Sequence, residues 1–366
     1  MFVVAAVALA GFLFSITPAA AWLDNALLDV EWQVLRKFHP RPAPDDIIVV
    51  GIDPVTVASI AEPPGLWHES LGRALARIAR ARPRAIGFGL PLPERSYESV
   101  RAGLDRALFT GLAAAIEAGP LVAVLTIDAR TRSARRVHTP FLAILGESRL
   151  GIDLLARDGD GVTRRFSLLV PTEDGGFPTL AGRLCGALSR QCSDGLIHYA
   201  LGPALKYVPM KNVLEMKDEL LVERLFRDRI VMVGETQPYA DRVEVPVNLA
   251  GWEPGGRSSP AIVVHALSLR SALQGAAPEE ASRPLVVLLL SVTALLALMG
   301  DWRLAAATGI LGAVAAFVAA SLALRSGLYV PLGSILLTAL LAWTVRLAMR
   351  WRDARRSPLS NIPHAS

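Results

Sequence analysis

Four apolar segments constrain this chain more than any other feature. Residues 2–23, 285–300, 304–324 and 328–345 contain no Asp, Glu, Lys or Arg. A helix crossing a bilayer needs about 20 such residues, with about 17 as the lower limit. One segment opens the chain and three close it, so the hydrophilic residues 24–283 are expected to form one folded domain on one side of a membrane. The expected divisions are an N-terminal anchor over 1–23, that domain over 24–283, three membrane helices over 284–347 and a basic tail over 348–366.

Arginine placement predicts which side the domain occupies, because Lys and Arg flanking a span stay in the cytoplasm. Arg346, Arg350, Arg352, Arg355 and Arg356 follow the last segment against a single Asp353. The tail is therefore expected inside, and counting back through the spans puts the central domain outside, as in a multi-pass protein of a bacterial plasma membrane. Trp22, Trp302, Tyr329 and Trp351 stand at the segment ends, where amphipathic rings prefer the headgroup layer. Pro18-Ala19-Ala20-Ala21 has the small residues of a signal-peptide cleavage site, but the basic region that precedes one is missing, which favours an uncleaved anchor.

The formal net charge of +5 belongs to the membrane portion: the tail and Arg325 account for all of it, leaving residues 24–283 neutral. There is no basic stripe with interleaved aromatics, so nucleic acid is not an expected partner. The lipid bilayer is. Cys185 and Cys192 lie seven residues apart. On one unbroken helix their Cα atoms would be about 10 Å apart, too far for a disulfide, so a bridge requires the helix to end near Gly186 or Ser189. Bridged and free thiols both remain open at this level.

The domain has the rhythm of an α/β fold. Ile47 to Ile52, Arg84 to Gly89, Leu121 to Ile127 and Arg229 to Gly234 are short apolar runs of the kind that form strands buried on both faces. Between them, Glu69 to Arg82 and Arg101 to Ala118 have helical spacing, and Pro178 to Leu188 and Ala261 to Leu273 add two more helices. Strands alternating with helices predict a three-layer domain with a mostly parallel sheet. Asp24 to Phe38, ended by His39-Pro40, predicts a stalk helix rising from the first span. Asp158-Gly159-Asp160-Gly161 marks a turn, with a strand expected over Val162 to Val170.

These pieces together resemble the type-two CHASE domain, an extracytoplasmic sensor module of bacterial signalling receptors. The resemblance is carried by Asp29 in the stalk, by Asp46-Ile47-Ile48-Val49-Val50-Gly51-Ile52-Asp53, and by Ala81 to Phe88. It continues through Asp158 to Arg165, Ile230 to Gly234 with Asp241 and Pro246, and Val263-Val264-His265-Ala266. It implies a sensor that binds a small-molecule or protein ligand and three closing spans that lead to an output domain. Residues 348–366 are too few for such a domain, so the signal is expected to pass to a separate membrane partner or a second copy. Two positions depart from the family's pattern. Gly89 stands where an aspartate is usual, and Trp67-His68-Glu69 replaces Trp-Pro-Trp with a following arginine, which implies a different ligand or none.

Five residues are candidates for a ligand site. Asp53 ends the first parallel strand, where ligands collect in open α/β sheets, although an Asp before Pro54 also caps turns. Asp241 could reach the same rim. Trp67 is the surviving part of the family's aromatic motif, and either Arg164 or Arg165, alternating along a strand, could face a pocket. His265 is either a pocket residue or a satisfied core histidine. The Asp158/Asp160 loop lacks a calcium loop's ligands, with Leu169 where the terminal Glu would stand, and the histidines occur singly, so neither metal nor cofactor is expected. No nucleophile elbow or phosphate loop is present. The main reading is a non-enzymatic receptor. One alternative is an exported hydrolase, which would need Asp53, Asp241 and His265 to converge. Another is an assembly subunit using the small residues Gly309, Gly312 and Ala316 for helix contact.

Overall fold

The computed structural model describes residues 2–127, 134–171, 176–252, 256–299 and 305–356, with the side chains of 305–308 and 354–356 left out. The chain divides into two compact units, Arg36–Ala277 and the flanks Met1–Leu35 with Pro278–Ser366. The described helices are α1 (Phe2–Ser15), α2 (Pro18–Phe38), α3 (Pro54–Ser59), α4 (His68–Arg80), α5 (Leu104–Ala118), α6 (Thr139–Leu145), α7 (Leu180–Ala187), α8 (Met210–Glu215), α9 (Glu219–Phe226), α10 (Ala261–Leu273), α11 (Arg283–Met299), α12 (Ala305–Ser326) and α13 (Leu332–Arg356).

The unit Arg36–Ala277 is built on a six-stranded sheet. Its strands are β1 (Ile47–Ile52), β2 (Ala85–Phe88), β3 (Leu121–Leu125), β4 (Leu150–Ile152), β5 (Lys206–Pro209) and β6 (Ile230–Glu235). They lie in the order β4-β3-β2-β6-β1-β5, and every pairing is parallel. The centre belongs to the apolar runs: β6 sits between β1 and β2, with Val49 opposite Met232 and Val233 opposite Phe88. Every residue of β1 and β2 is buried, as side chains pointing into both layers require. One face packs Leu75 and Ile78 of α4, Leu108 and Leu112 of α5 and Phe226 of α9 onto Ile48, Ile86, Val231 and Val233. The other is covered by α7 and α10, and α10 is buried along all but its last residue. The mixed α/β class with a parallel sheet is as the sequence predicts.

The strand expected over Val162 to Val170 is replaced by two short antiparallel ladders, Arg165–Phe166 with Gly195–Leu196 and Leu169–Val170 with Phe177–Pro178. Helix α7 ends in a Schellman turn: Ser189 is left-handed at φ 53°, its N–H donates to Gly186, and the Arg190 N–H donates to Cys185. The chain thereby turns back on itself, and Cys185 and Cys192 are bridged with their Cα atoms 6.3 Å apart. Loop-closure entropy for so short a ring is worth about 2.5 kcal/mol. Reduction is expected to lower the unfolding temperature of the wild type and to leave a Cys185→Ser/Cys192→Ser variant unchanged, as differential scanning fluorimetry would show.

In the flanking unit, α1, α11 and α13 pack together around Val7, Ala294 and Ala342. By length and composition α12 over Gly309–Ser326 and α13 over Leu332–Asp353 can cross a membrane, while α11 is a shorter apolar helix. The first apolar segment differs from the straight rod its composition suggests. Helix α1 has 14 residues, and the axis bends by 81° before α2. Thr17 causes the break, its hydroxyl oxygen accepting from the Ala20 N–H while Pro18 takes the first helical position. Asp24, on α2, accepts from the backbone N–H and the hydroxyl of Ser334 at 2.9 and 2.8 Å, capping the first turn of α13. Gly309 and Gly312 have open space where a side chain would project.

Candidate functional site

The carboxyl ends of the parallel strands carry two clusters of polar side chains, and the five candidate residues are divided among them and the scaffold. Asp53 follows β1 and serves as a helix cap, its Oδ1 accepting from the Thr56 N–H at 2.7 Å. Trp67 is buried, with its Nε1–H donating to the Glu62 carbonyl at 2.7 Å. Arg164 is 1% exposed and binds both turn carboxylates. Its Nη1 and Nη2 reach Asp160 at 2.9 and 2.7 Å, and Nη1 also reaches Asp158 at 3.0 Å. Arg165, more exposed, converges on Asp158 as well. The turn acids thus neutralise arginines.

Asp241 and His265 belong to the first cluster, where Asp153 links them. His265, at the start of α10, places Nε2 3.2 Å from the Asp153 carbonyl oxygen. The Asp153 carboxylate accepts from the Thr126 hydroxyl at 2.9 Å. Asp241 takes a left-handed backbone at φ 49°, and its carbonyl accepts from the first N–H of α10. It keeps an exposed edge, yet desolvation by the surrounding protein, followed by the charges of Asp153 and Glu235, pushes its carboxyl up to about 6. Burial pulls the His265 imidazole down to about 4, against the Asp153 carbonyl's opposing pull. Asp53, Asp241 and His265 share no hydrogen bond among the described residues. The described residues also contain no metal-binding group of His, Cys, Asp and Glu.

The two titrations act on stability with opposite signs. His265 binds its proton near pH 6.5 when unfolded and near 4 when folded, so its contribution is complete above 6.5 and is lost as pH falls toward 4, about 3 kcal/mol in all. Asp241 takes its proton near 6 when folded and near 4 when unfolded, so stability rises as pH falls through that window. Thermal unfolding from pH 7 to 4 is therefore expected to show a steeper acid loss in Asp241→Asn than in the wild type, and a shallower one in His265→Gln.

The second cluster surrounds a cavity of about 390 Å³ beyond the end of β2, lined by Leu71, Phe88, Leu92, Leu108, Tyr97 and His68 among others. Sequence reasoning named Trp67 and missed its neighbour. His68 starts α4, is 4% exposed, and holds Nδ1 3.3 Å from Oδ1 of Asp105, in the first turn of α5. Asp105 is buried too, and accepts from the Ser96 hydroxyl at 2.6 Å and the Tyr97 N–H at 3.2 Å. Glu98 secures the loop by accepting from the N–H groups of Gly103, Asp105 and Arg106, the free donors at the start of α5. These bonds hold its carboxyl below the usual range. Tyr97 and Phe141 stand edge-on to the imidazole. Burial lowers the His68 pKa while Asp105 raises it, and burial prevails.

Two glycines make this meeting possible. A Cβ on Gly72 of α4 would overlap the Ala107 carbonyl of α5, and one on Gly111 would overlap the backbone of Gly72. The helices touch backbone to backbone, one turn from His68. Gly89 has a similar explanation: a Cβ there would lie 2.7 Å from Ile262 Cδ1, so α10 fills the space an aspartate would use.

The chain thus joins a parallel three-layer α/β unit, with a cleft at its strand ends, to apolar helices long enough to cross a bilayer. The chain belongs to the CHASE2 family, whose domain model matches residues 3–306. CHASE2 is an extracytoplasmic sensory domain, not a catalytic one. No curated protein and no solved structure matches the chain.

Proposed function

We propose that this protein is a multi-pass receptor of a bacterial plasma membrane: it binds a signal outside the cell and passes the change through its membrane helices to a separate partner. The observation that carries this reading is the course of α2. Near its start Asp24 caps the last membrane helix through Ser334, and in its last turn Arg36 donates to the Tyr199 carbonyl of the sensory unit at 2.8 Å. Helix α2 runs unbroken through the boundary at Leu35–Arg36 with one of these ties in each unit, which supports it as the segment that carries the signal.

A ligand transmits only if it favours one of two arrangements, since equal affinity for both shifts nothing. Single cysteines along residues 24–38 of the full chain, crosslinked to nearby membrane helices with and without stimulus, are expected to change their pattern with a helical period. An identical pattern under every condition would count against transmission. Among the described residues, no hydrogen bond joins Asp53, Asp241 and His265 to favour the hydrolase alternative.

A further inference from the structure

We propose that the cleft beside His68 binds an uncharged, amphipathic small molecule with an apolar body and a hydroxyl or N–H group, which donates a hydrogen bond to Nε2 of His68. The inference rests on the sensory reading for its purpose, while the binding itself stands on the geometry of the cleft.

A volume of about 390 Å³ falls in the range of small-molecule sites. Leu71, Phe88, Leu92 and Leu108 supply the apolar part of the wall, and the polar groups of residues such as His68 and Tyr97 supply a share nearly as large. The exposed rim carries one charge of each sign, Glu94 and Arg95, the latter 5.6 Å from the Tyr97 ring centre. Such a rim does not select for an ion of either sign.

The polar anchor is specific. At 3.3 Å the Asp105 carboxylate is too poorly aligned with Nδ1 for a full hydrogen bond, but close enough to favour a proton there. The other ring nitrogen, Nε2, has no hydrogen-bond partner among the described residues, and His68 forms part of the cavity wall. With the proton on Nδ1, Nε2 can only accept. A ligand that donates is therefore matched, a pure hydrocarbon leaves Nε2 unsatisfied, and a carboxylate meets a lone pair.

Phenol, toluene and benzoate separate these cases. The full chain in nanodiscs, labelled with 15N-histidine, is titrated with each while the His68 Nε2 resonance is followed. Phenol is expected to shift that resonance saturably and to bind about tenfold more tightly than toluene, with benzoate weaker than both. His68→Asn keeps a group facing Asp105 and removes Nε2. It is expected to bind phenol and toluene equally, with toluene affinity unchanged as proof that the cleft is intact. His68→Gln, which restores an acceptor near Nε2, should recover part of the preference. Phenol bound no better than toluene by the wild type, a preference that survives in His68→Asn, or no binding of any probe would overturn the proposal. None of these results bears on the α2 crosslinking pattern, which tests the receptor reading separately.

Discussion

Gly72→Leu is expected to destabilise the sensory unit by about 3 kcal/mol and to remove the His68 cleft in the same step. The new side chain has no room, because even its Cβ would overlap the Ala107 carbonyl of α5. A backbone cannot swing aside as a flexible side chain can, so α4 and α5 must separate. That separation pulls His68 from Asp105 and exposes the apolar seam between Leu75, Ile78, Leu108 and Leu112. The higher helix propensity of leucine recovers about 1 kcal/mol at most. Gly65→Ala is the control, since Gly65 lines the same cavity and a Cβ there meets nothing within 4 Å. Thermal unfolding in nanodiscs should separate the two by many degrees, with Gly65→Ala close to the wild type. Equal unfolding temperatures would mean that the helices do not cross at Gly72.

Arg164→Ala is expected to cost a similar amount, about 3 kcal/mol, for a different reason. Asp158 and Asp160 have side chains only 14% and 28% exposed, and the guanidinium they share is 1% exposed. Removing it leaves Asp158 to the more exposed Arg165 and Asp160 with no cation among the described residues, and an uncompensated, partly buried charge costs more than the intact pair contributes. The structure also predicts the cure. Arg164→Met combined with Asp158→Asn and Asp160→Asn removes all three charges and should recover most of the loss, a non-additivity that unfolding measurements on the single and combined variants would reveal. If the triple variant is no more stable than Arg164→Ala, the cost lies in packing.

The parts of the fold legible in the sequence are those where one physical requirement dominates. Ile47 to Ile52 and Ile230 to Gly234 are apolar throughout because strands at the middle of a parallel sheet are covered on both sides, and Ala261 to Leu273 is helical over the span its spacing predicts. Asp53 before Pro54 announces a cap, and the structure makes it one. The edge strands β4 and β5 escape notice because three or four residues carry no period, and Lys206 in β5 is exposed. The Val162 to Val170 strand fails because Arg164 is tied back into the turn before it. The break at Thr17 was written in Thr17-Pro18 as a helix start, but a count of apolar residues does not register it.

The site was less legible than the fold. Trp67 is the neighbour of His68 in sequence, whereas His68 and Asp105 stand on different helices and meet only because Gly72 and Gly111 let those helices touch. A lone histidine and an acid in a helix's first turn each have an ordinary explanation, and no spacing rule joins them. Asp153 and Glu235 were missed for the same reason. Each follows or ends a strand, and only the sheet order brings their charges near Asp241.

The central claim is that the sensory unit faces the outside while the basic end of α13 faces the cytoplasm. Tyr239 is 93% exposed in the sensory unit, and Trp351 is 60% exposed near the end of α13. With the native disulfide left oxidised, Tyr239→Cys and Trp351→Cys would each be treated in intact cells with a membrane-impermeant maleimide. Cysteine at position 239 should be labelled at once, and cysteine at position 351 only after the membrane is permeabilised. Labelling in the reverse order, or at both positions without permeabilisation, would contradict the account.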